Sequence, residues 1–204
     1  MTKRTYHKSS ISRQVHGCAI DSSSSPGTLE TMQGLRFEPS PSWVLHLDAI
    51  DARVLAWVAS RRSDLLVGAM HVITRSGDAA TVVGALLCAL LLRPGRTAAL
   101  VAVSTVVGLA LFSAAKRVCR RGRPKVFALL PAPDRFSMPS GHATSAWAIG
   151  VSVSVLLPTL APIALAWALA VSISRVVLGV HYPFDVLVGA LLGSSAAFIV
   201  LALA

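Results

Sequence analysis

Between Phe136 and Ala204 the chain carries only two formal charges, Arg175 and Asp185, in a run otherwise made of apolar and small residues. A water-soluble domain keeps about 25% of its residues charged. The 204-residue chain as a whole has 14% charged and 54% hydrophobic residues, and the charges it does have crowd toward its first half. A segment so poor in charge needs lipid as its solvent. The expected fold is therefore an all-α integral membrane helical bundle with about five to six transmembrane helices.

The apolar runs place spans at about 79–93, 97–115, 142–157, 160–179 and 184–203, several of them shorter than the roughly 20 residues of a perpendicular crossing. Gly84, Gly108, Ser113, Gly150, Gly189 and Gly193 lie within them, and small residues let membrane helices approach closely. Residues 43–204 form the expected membrane-embedded domain, of which 43–75 read as interfacial helices. In 43–60 apolar residues recur at helical spacing, but His46, Asp48, Asp51 and Arg53 interrupt the surface, which suits a helix lying at the headgroups. A second short helix over Leu65–Thr74 leads to a turn at Ser76-Gly77-Asp78. Residues 1–42, rich in Ser with scattered charge, read as a disordered polar, basic tail.

Nineteen Lys and Arg against nine Asp and Glu give a net charge of +10. The cations cluster beside apolar spans, which points to anionic lipid headgroups, a phosphate-bearing substrate and membrane topology. Nucleic acid is a poor fit: aromatic residues are 6% of the chain and do not alternate with the cations. Cys18, Cys88 and Cys119 lack metal-ligand spacing and read as free thiols.

Three segments break the apolar rule, and one crossing per span puts them at the same membrane face. They are Lys116 to Pro124, with its run of arginines; Pro139-Ser140-Gly141-His142; and Ser174-Arg175 with His181 and Asp185. Lys116, Arg123 and Arg175 are permanent cationic donors, two of them able to grip phosphate bidentately. Ser140 and Gly141 open a helix, where backbone N–H groups favour an anion. His142, His181 and Asp185 suit a nucleophile held by a carboxylate with a second imidazole as general acid. Each has a blander reading as well. The basic run alone is a common lipid-contacting loop, His142 could cap its helix, and His181 and Asp185 could be an i,i+4 pair. Arg175, near the end of an apolar span, is harder to dismiss.

Lys116-x6-Arg123-Pro124, then Pro139-Ser140-Gly141-His142, then Ser174-Arg175-x5-His181-x3-Asp185 resembles the tripartite signature of the type 2 phosphatidic acid phosphatase superfamily. The resemblance implies that His181 attacks phosphorus and forms a phosphohistidine, that Asp185 holds its ring, and that His142 protonates the leaving group and then activates water. Lys116, Arg123, Ser140, Gly141 and Arg175 would bind the phosphoryl oxygens. It implies no metal and no cofactor. Within the motifs Asp185 is the one carboxylate, and Asp134 is the other nearby in sequence. The expected activity is hydrolysis of a lipid phosphomonoester or diphosphate, of the polyprenyl, phosphatidate or phosphatidylglycerophosphate class. A phosphotransferase of the same chemistry and a non-catalytic lipid binder or transporter are the alternatives, and the oligomeric state stays open. Arg61, Arg62, Arg75, Arg117, Arg120, Arg121, Lys125 and Arg135 all fall on the site side, so the positive-inside rule turns the site toward the cytoplasm from a plasma-membrane location. His71 and His46 read as interfacial, and the four tryptophans as anchors or packing.

Overall fold

The computed structural model describes residues 42–92, 94–124, 128–131 and 135–204, with side chains from residue 48 onward. The tail, the side chains of Trp43 and His46, and Lys125 and Asp134 lie outside the described residues. The described chain is all-helical, with no strand beyond an isolated bridge between Gly122 and Phe136. We number the helices α1 (Ser42–Ala59), α2 (Asp64–Ser76), α3 (Ala79–Leu92), α4 (Arg96–Val118), α5 (Gly141–Leu156), α6 (Ala161–Val177) and α7 (Pro183–Ala202).

Local chemistry sets these boundaries. Ser63 caps α2 by accepting from the Leu66 N–H at 3.2 Å, with Asp64 in the first turn and Arg75 in the last, as the helix dipole favours. Pro158 opens a 3-10 turn that feeds directly into α6. Tyr182-Pro183 starts α7, where proline at the first position loses no hydrogen bond, and Asp185 accepts from the Tyr182 N–H at 2.9 Å.

Helix α5 is the centre of the bundle, packed on α4, α6 and α7. It can be so because the contact is built from small residues. Gly189 and Gly193 of α7 lie directly on the α5 backbone: a Cβ on Gly193 would collide with the Thr144 carbonyl oxygen, and one on Gly189 would sit 2.5 Å from that of Ser140. Gly150 packs less tightly, a Cβ there lying 3.1 Å from the Ala164 carbonyl oxygen. Gly84, by contrast, has open space around it. Trp147 and Trp167 donate to Ser172 and Ser76 at 3.0 and 2.9 Å, so two of the tryptophans act as interhelical struts.

Three helical stretches are long and apolar enough to cross a membrane, Arg96–Val118, Pro158–Val177 and Pro183–Ala202, and α2 with α3 makes a fourth if this pair, bent by 48°, counts as one span. That is fewer than the five to six expected, because α3 and α5 hold only 14 and 16 residues. Large side chains such as Leu91, Val106 and Leu191 point outward, as lipid requires. The chain is an integral membrane protein. Helix α1 is not simply a surface helix: Asp51 and Leu55 are buried, and it touches α6 and α7.

Candidate active site

The C-terminal ends of α4 and α6 and the N-terminal ends of α5 and α7 converge on one cavity of about 350 Å³. Lys116, Arg123, Gly141, His142, Arg175 and His181 line it, together with Phe112 and a wall from α2 and its end: His71, Thr74, Arg75 and Asp78. His71 was expected at a lipid interface; it faces the cavity instead. Ser140 and Asp185 lie behind the lining, each fully buried.

His181 is delivered by a backbone reversal. Gly179, at φ 71°, takes the left-handed conformation that glycine tolerates, and the chain turns back so that the Val180 and His181 N–H groups both reach the Arg175 carbonyl. The residue is 3% exposed. Its Nδ1 lies 2.7 Å from the Ser137 carbonyl oxygen, an acceptor only, so Nδ1 carries the proton and Nε2 keeps its lone pair. Arg123 sits 3.4 Å from that Nε2 and donates to the Val180 carbonyl at 2.8 Å. Burial pushes the His181 pKa down; Asp185 pulls it the other way, and Arg123 and Arg175 push it further down. A neutral imidazole with Nε2 toward a cationic pocket is competent to attack an electrophile.

Asp185 differs from its expected role. It lies 3.8 Å from His181 Nδ1, beyond hydrogen-bond reach, because its oxygens are committed elsewhere. One accepts from the Tyr182 N–H and the other from Arg121 at 2.9 Å. Arg121, expected among the topology charges, is 8% exposed and also pairs with Asp48 and Asp51 at 2.6 and 2.7 Å. The Tyr182 ring stacks on its guanidinium at 4.3 Å, and the Phe184 N–H donates to Asp51. The acidic residues that interrupt α1 are thus explained by a partner rather than by a headgroup layer. Burial opposes the Arg121 charge, but Asp185, Asp51 and Asp48 outweigh it and hold its pKa above the ordinary guanidinium value.

The phosphate-binding candidates differ in their surroundings. Arg175 donates to Thr74 at 2.6 Å while its buried Nε has no protein partner. Lys116 lies 5.0 Å from the Phe112 ring centre. The Ser140 N–H, expected to point outward, donates to the Asp185 carbonyl at 3.0 Å, and its buried hydroxyl is unpartnered. That leaves the N–H groups of Gly141, His142 and Ala143 as the first-turn donors of α5 not used within the helix, with the Thr144 N–H already bonded to the Ser140 carbonyl. Gly141 has a second reason to be glycine: a Cβ there would sit 3.2 Å from Phe112. His142 Nε2 lies 2.8 Å from Asp78. Among the described residues no group of three or more His, Cys, Asp and Glu side chains is placed to hold a metal ion.

Sequence reasoning missed Asp78, Thr74 and Arg121 as parts of the site. Asp78 and Thr74 offered no signal, being single residues far from the motifs. Arg121 offered one: a run of arginines opposite a helix with two buried-side aspartates invites pairing.

Comparison with known proteins adds a family match. The profile of the PAP2 superfamily matches residues 97–204. The decaprenylphosphoryl-5-phosphoribose phosphatase of Mycolicibacterium smegmatis is 44% identical over 77 residues, 36% of this chain and 42% of that protein. The undecaprenyl-diphosphatase of Sulfolobus acidocaldarius is 35% identical over 103 residues, 48% of this chain and 50% of that one. The chain thus aligns with half or less of the length of these relatives. Among solved structures, a transmembrane PAP2-type phosphatidylglycerolphosphate phosphatase from Bacillus subtilis superposes with a TM-score of 0.69 at 26% identity, covering 78% of this chain and 86% of that one.

Proposed function

The chain belongs to the PAP2 superfamily, and from that premise we propose that it is a membrane phosphatase that hydrolyses a lipid phosphomonoester or diphosphate through a phosphohistidine. The observation that carries this reading is the meeting of two histidines with Lys116, Arg123 and Arg175 in one cavity at the helix ends. The phosphoryl oxygens bind Arg123, Arg175, Lys116 and the α5 terminus, which stabilise the charge that builds on them. His181 Nε2 attacks phosphorus. The bond to the lipid oxygen breaks, and His142 supplies the proton that oxygen needs. His142 then takes a proton from water as it attacks the phosphohistidine, and inorganic phosphate leaves. Asp185 serves by bracing the loop that carries His181, through Tyr182 and Arg121, rather than by gripping the ring. No step requires a metal or a cofactor.

A site at helix ends meets headgroups directly while the tail stays among the helices. Names of the relatives favour a prenyl-linked phosphate or diphosphate. We further propose five crossings, by α3 to α7, with the site on the cytoplasmic side of the plasma membrane, where the exposed Arg117 and Arg120 would lie. Labelling of Cys119 by an impermeant reagent in intact cells, with Cys18 and Cys88 removed, would reverse that orientation.

The activity is tested by phosphate release from purified protein in detergent, with polyprenyl diphosphate, phosphatidate, phosphatidylglycerophosphate and a water-soluble phosphomonoester as substrates. Turnover in excess chelator, inhibition by vanadate and its loss in His181→Ala are the expected results. Strict dependence on added magnesium, or full turnover by folded His181→Ala, would overturn the mechanism.

A further inference from the structure

A carboxylate in a pocket built for an anion needs a reason, because it repels what the neighbouring cations attract. Asp78 is the one carboxylate among the described residues that line the cavity, and it faces His142 Nε2 at 2.8 Å. We propose that Asp78 is the positioning residue of the general acid, holding His142 in the tautomer and charge state that protonate the leaving oxygen. The inference rests on the phosphatase reading above and adds a residue upstream of the segment that matches the family.

The elbow that carries Asp78 is fixed in place. Helix α2 ends at Ser76 and α3 begins at Ala79, with a bend of 48° between them. Two side chains of α6 hold the elbow: Trp167 donates to Ser76 at 2.9 Å, and Arg175 to Thr74 at 2.6 Å. Gly77 allows it to lie against the ring, since a Cβ there would be 2.8 Å from Val171 Cγ1 and 3.3 Å from His142 Cδ2. Asp78 also accepts from the Val82 N–H through its carbonyl at 2.9 Å, so its backbone is anchored in the start of α3.

The ring chemistry follows from this contact. A carboxylate only accepts, so Nε2 of His142 carries a proton toward Asp78. Nδ1 makes no hydrogen bond among the described residues and is left for the reacting oxygen. In the first step the electron pair of the breaking phosphorus–oxygen bond goes to the lipid oxygen, which takes the Nδ1 proton, while the Nε2 proton stays on the Asp78 contact. In the second step Nδ1 takes a proton from water as the water oxygen bonds to phosphorus, and the pair of the breaking phosphorus–nitrogen bond returns to His181. Asp78 thus stabilises the imidazolium before the first transfer and after the second, as the buried aspartate of a serine protease triad does for its histidine.

The test compares two leaving groups on one preparation of the full chain in detergent. Dodecyl phosphate releases an alkoxide that needs a proton; 4-nitrophenyl phosphate releases a phenolate that does not. Asp78→Asn is expected to lower kcat/KM for dodecyl phosphate by about 100-fold, the scale of general acid catalysis. It should leave kcat/KM for 4-nitrophenyl phosphate, which reports the first step alone, largely unchanged, while the shared second step lowers kcat on both. Asp78→Glu, which keeps the carboxylate, is expected to recover part of the loss. Because the two substrates are read on the same sample, their ratio does not depend on the fraction folded. An equal fall of kcat/KM on both substrates, or no fall on either, overturns the inference. Failure of the wild-type chain to release phosphate from either would instead overturn the phosphatase reading beneath it.

Discussion

A guanidinium enclosed by three carboxylates, as Arg121 is by Asp48, Asp51 and Asp185, is stable only as a set. Removing the cation leaves buried negative charge without a partner, which costs about 3–5 kcal/mol. Arg121→Met should therefore lower the unfolding temperature in detergent strongly. The loss has a pH sign. Burial already pushes the Asp51 carboxyl up, and without Arg121 beside it the rise grows. A carboxyl with a folded pKa above its unfolded one binds more protons in the folded state, so stability recovers as pH falls. The gap between Arg121→Met and wild type should be smaller at pH 5 than at pH 8, and an equal gap would count against the cluster. His181 gives a second pH expectation. Its lowered pKa keeps the ring neutral and nucleophilic below the ordinary imidazole value of about 6.5. After correction for the ionisation of the substrate phosphate near 6, the acidic limb of kcat/KM should lie below that value; a limb at or above 6.5 would contradict the burial. The signature residues were legible from sequence because each motif keeps its members close along the chain. The Asp78–His142 contact spans 64 positions and nothing local announces it; the Arg121–Asp48 contact spans 73, and the arginine run and the α1 aspartates hint at a pairing without fixing which residues meet.

Helix boundaries were legible for a different reason. The apolar runs and their Pro and Gly breaks fix where a chain can leave the helix, so the expected spans and the observed α3 to α7 agree within a few residues. Which glycines matter was not legible, since Gly84 and Gly193 look alike in sequence and only the packing separates them. Gly193→Ala places a methyl group against the Thr144 carbonyl and 2.9 Å from the Ala148 N–H. Overpacking of this kind costs about 1–3 kcal/mol, and it shifts the helix that is capped by Ser140 and carries His142 in its first turn. Gly193→Ala should lower both the unfolding temperature and turnover, while Gly84→Ala, with nothing within 4 Å, should change neither. Equal effects of the two would refute the close α5–α7 contact. The failure to foresee α1 as a scaffold has its own cause. Its aspartates read as interruptions because a lone helix has no partner, and the partner sits in the loop after α4.

The segment that matches the family, residues 97–204, carries every motif but not the whole site. Helix α1 supplies Asp48 and Asp51 to Arg121, and the α2 end supplies Thr74 to Arg175 and Asp78 to His142. If the proposed phosphatase activity is found for the full chain, a chain that starts at Arg96 should therefore lose it even when it inserts into membranes. Activity of such a fragment equal to that of the full chain would show that α1 to α3 are dispensable.

The cavity opens at the ends of helices whose flanks face hydrocarbon. A reactant anchored in the same sheet reaches it by wandering in a plane, not through a volume. The quantity that sets its encounter rate is then a number per unit area. For the lipid substrate proposed above, diluting it with inert lipid should slow hydrolysis, and adding water should not.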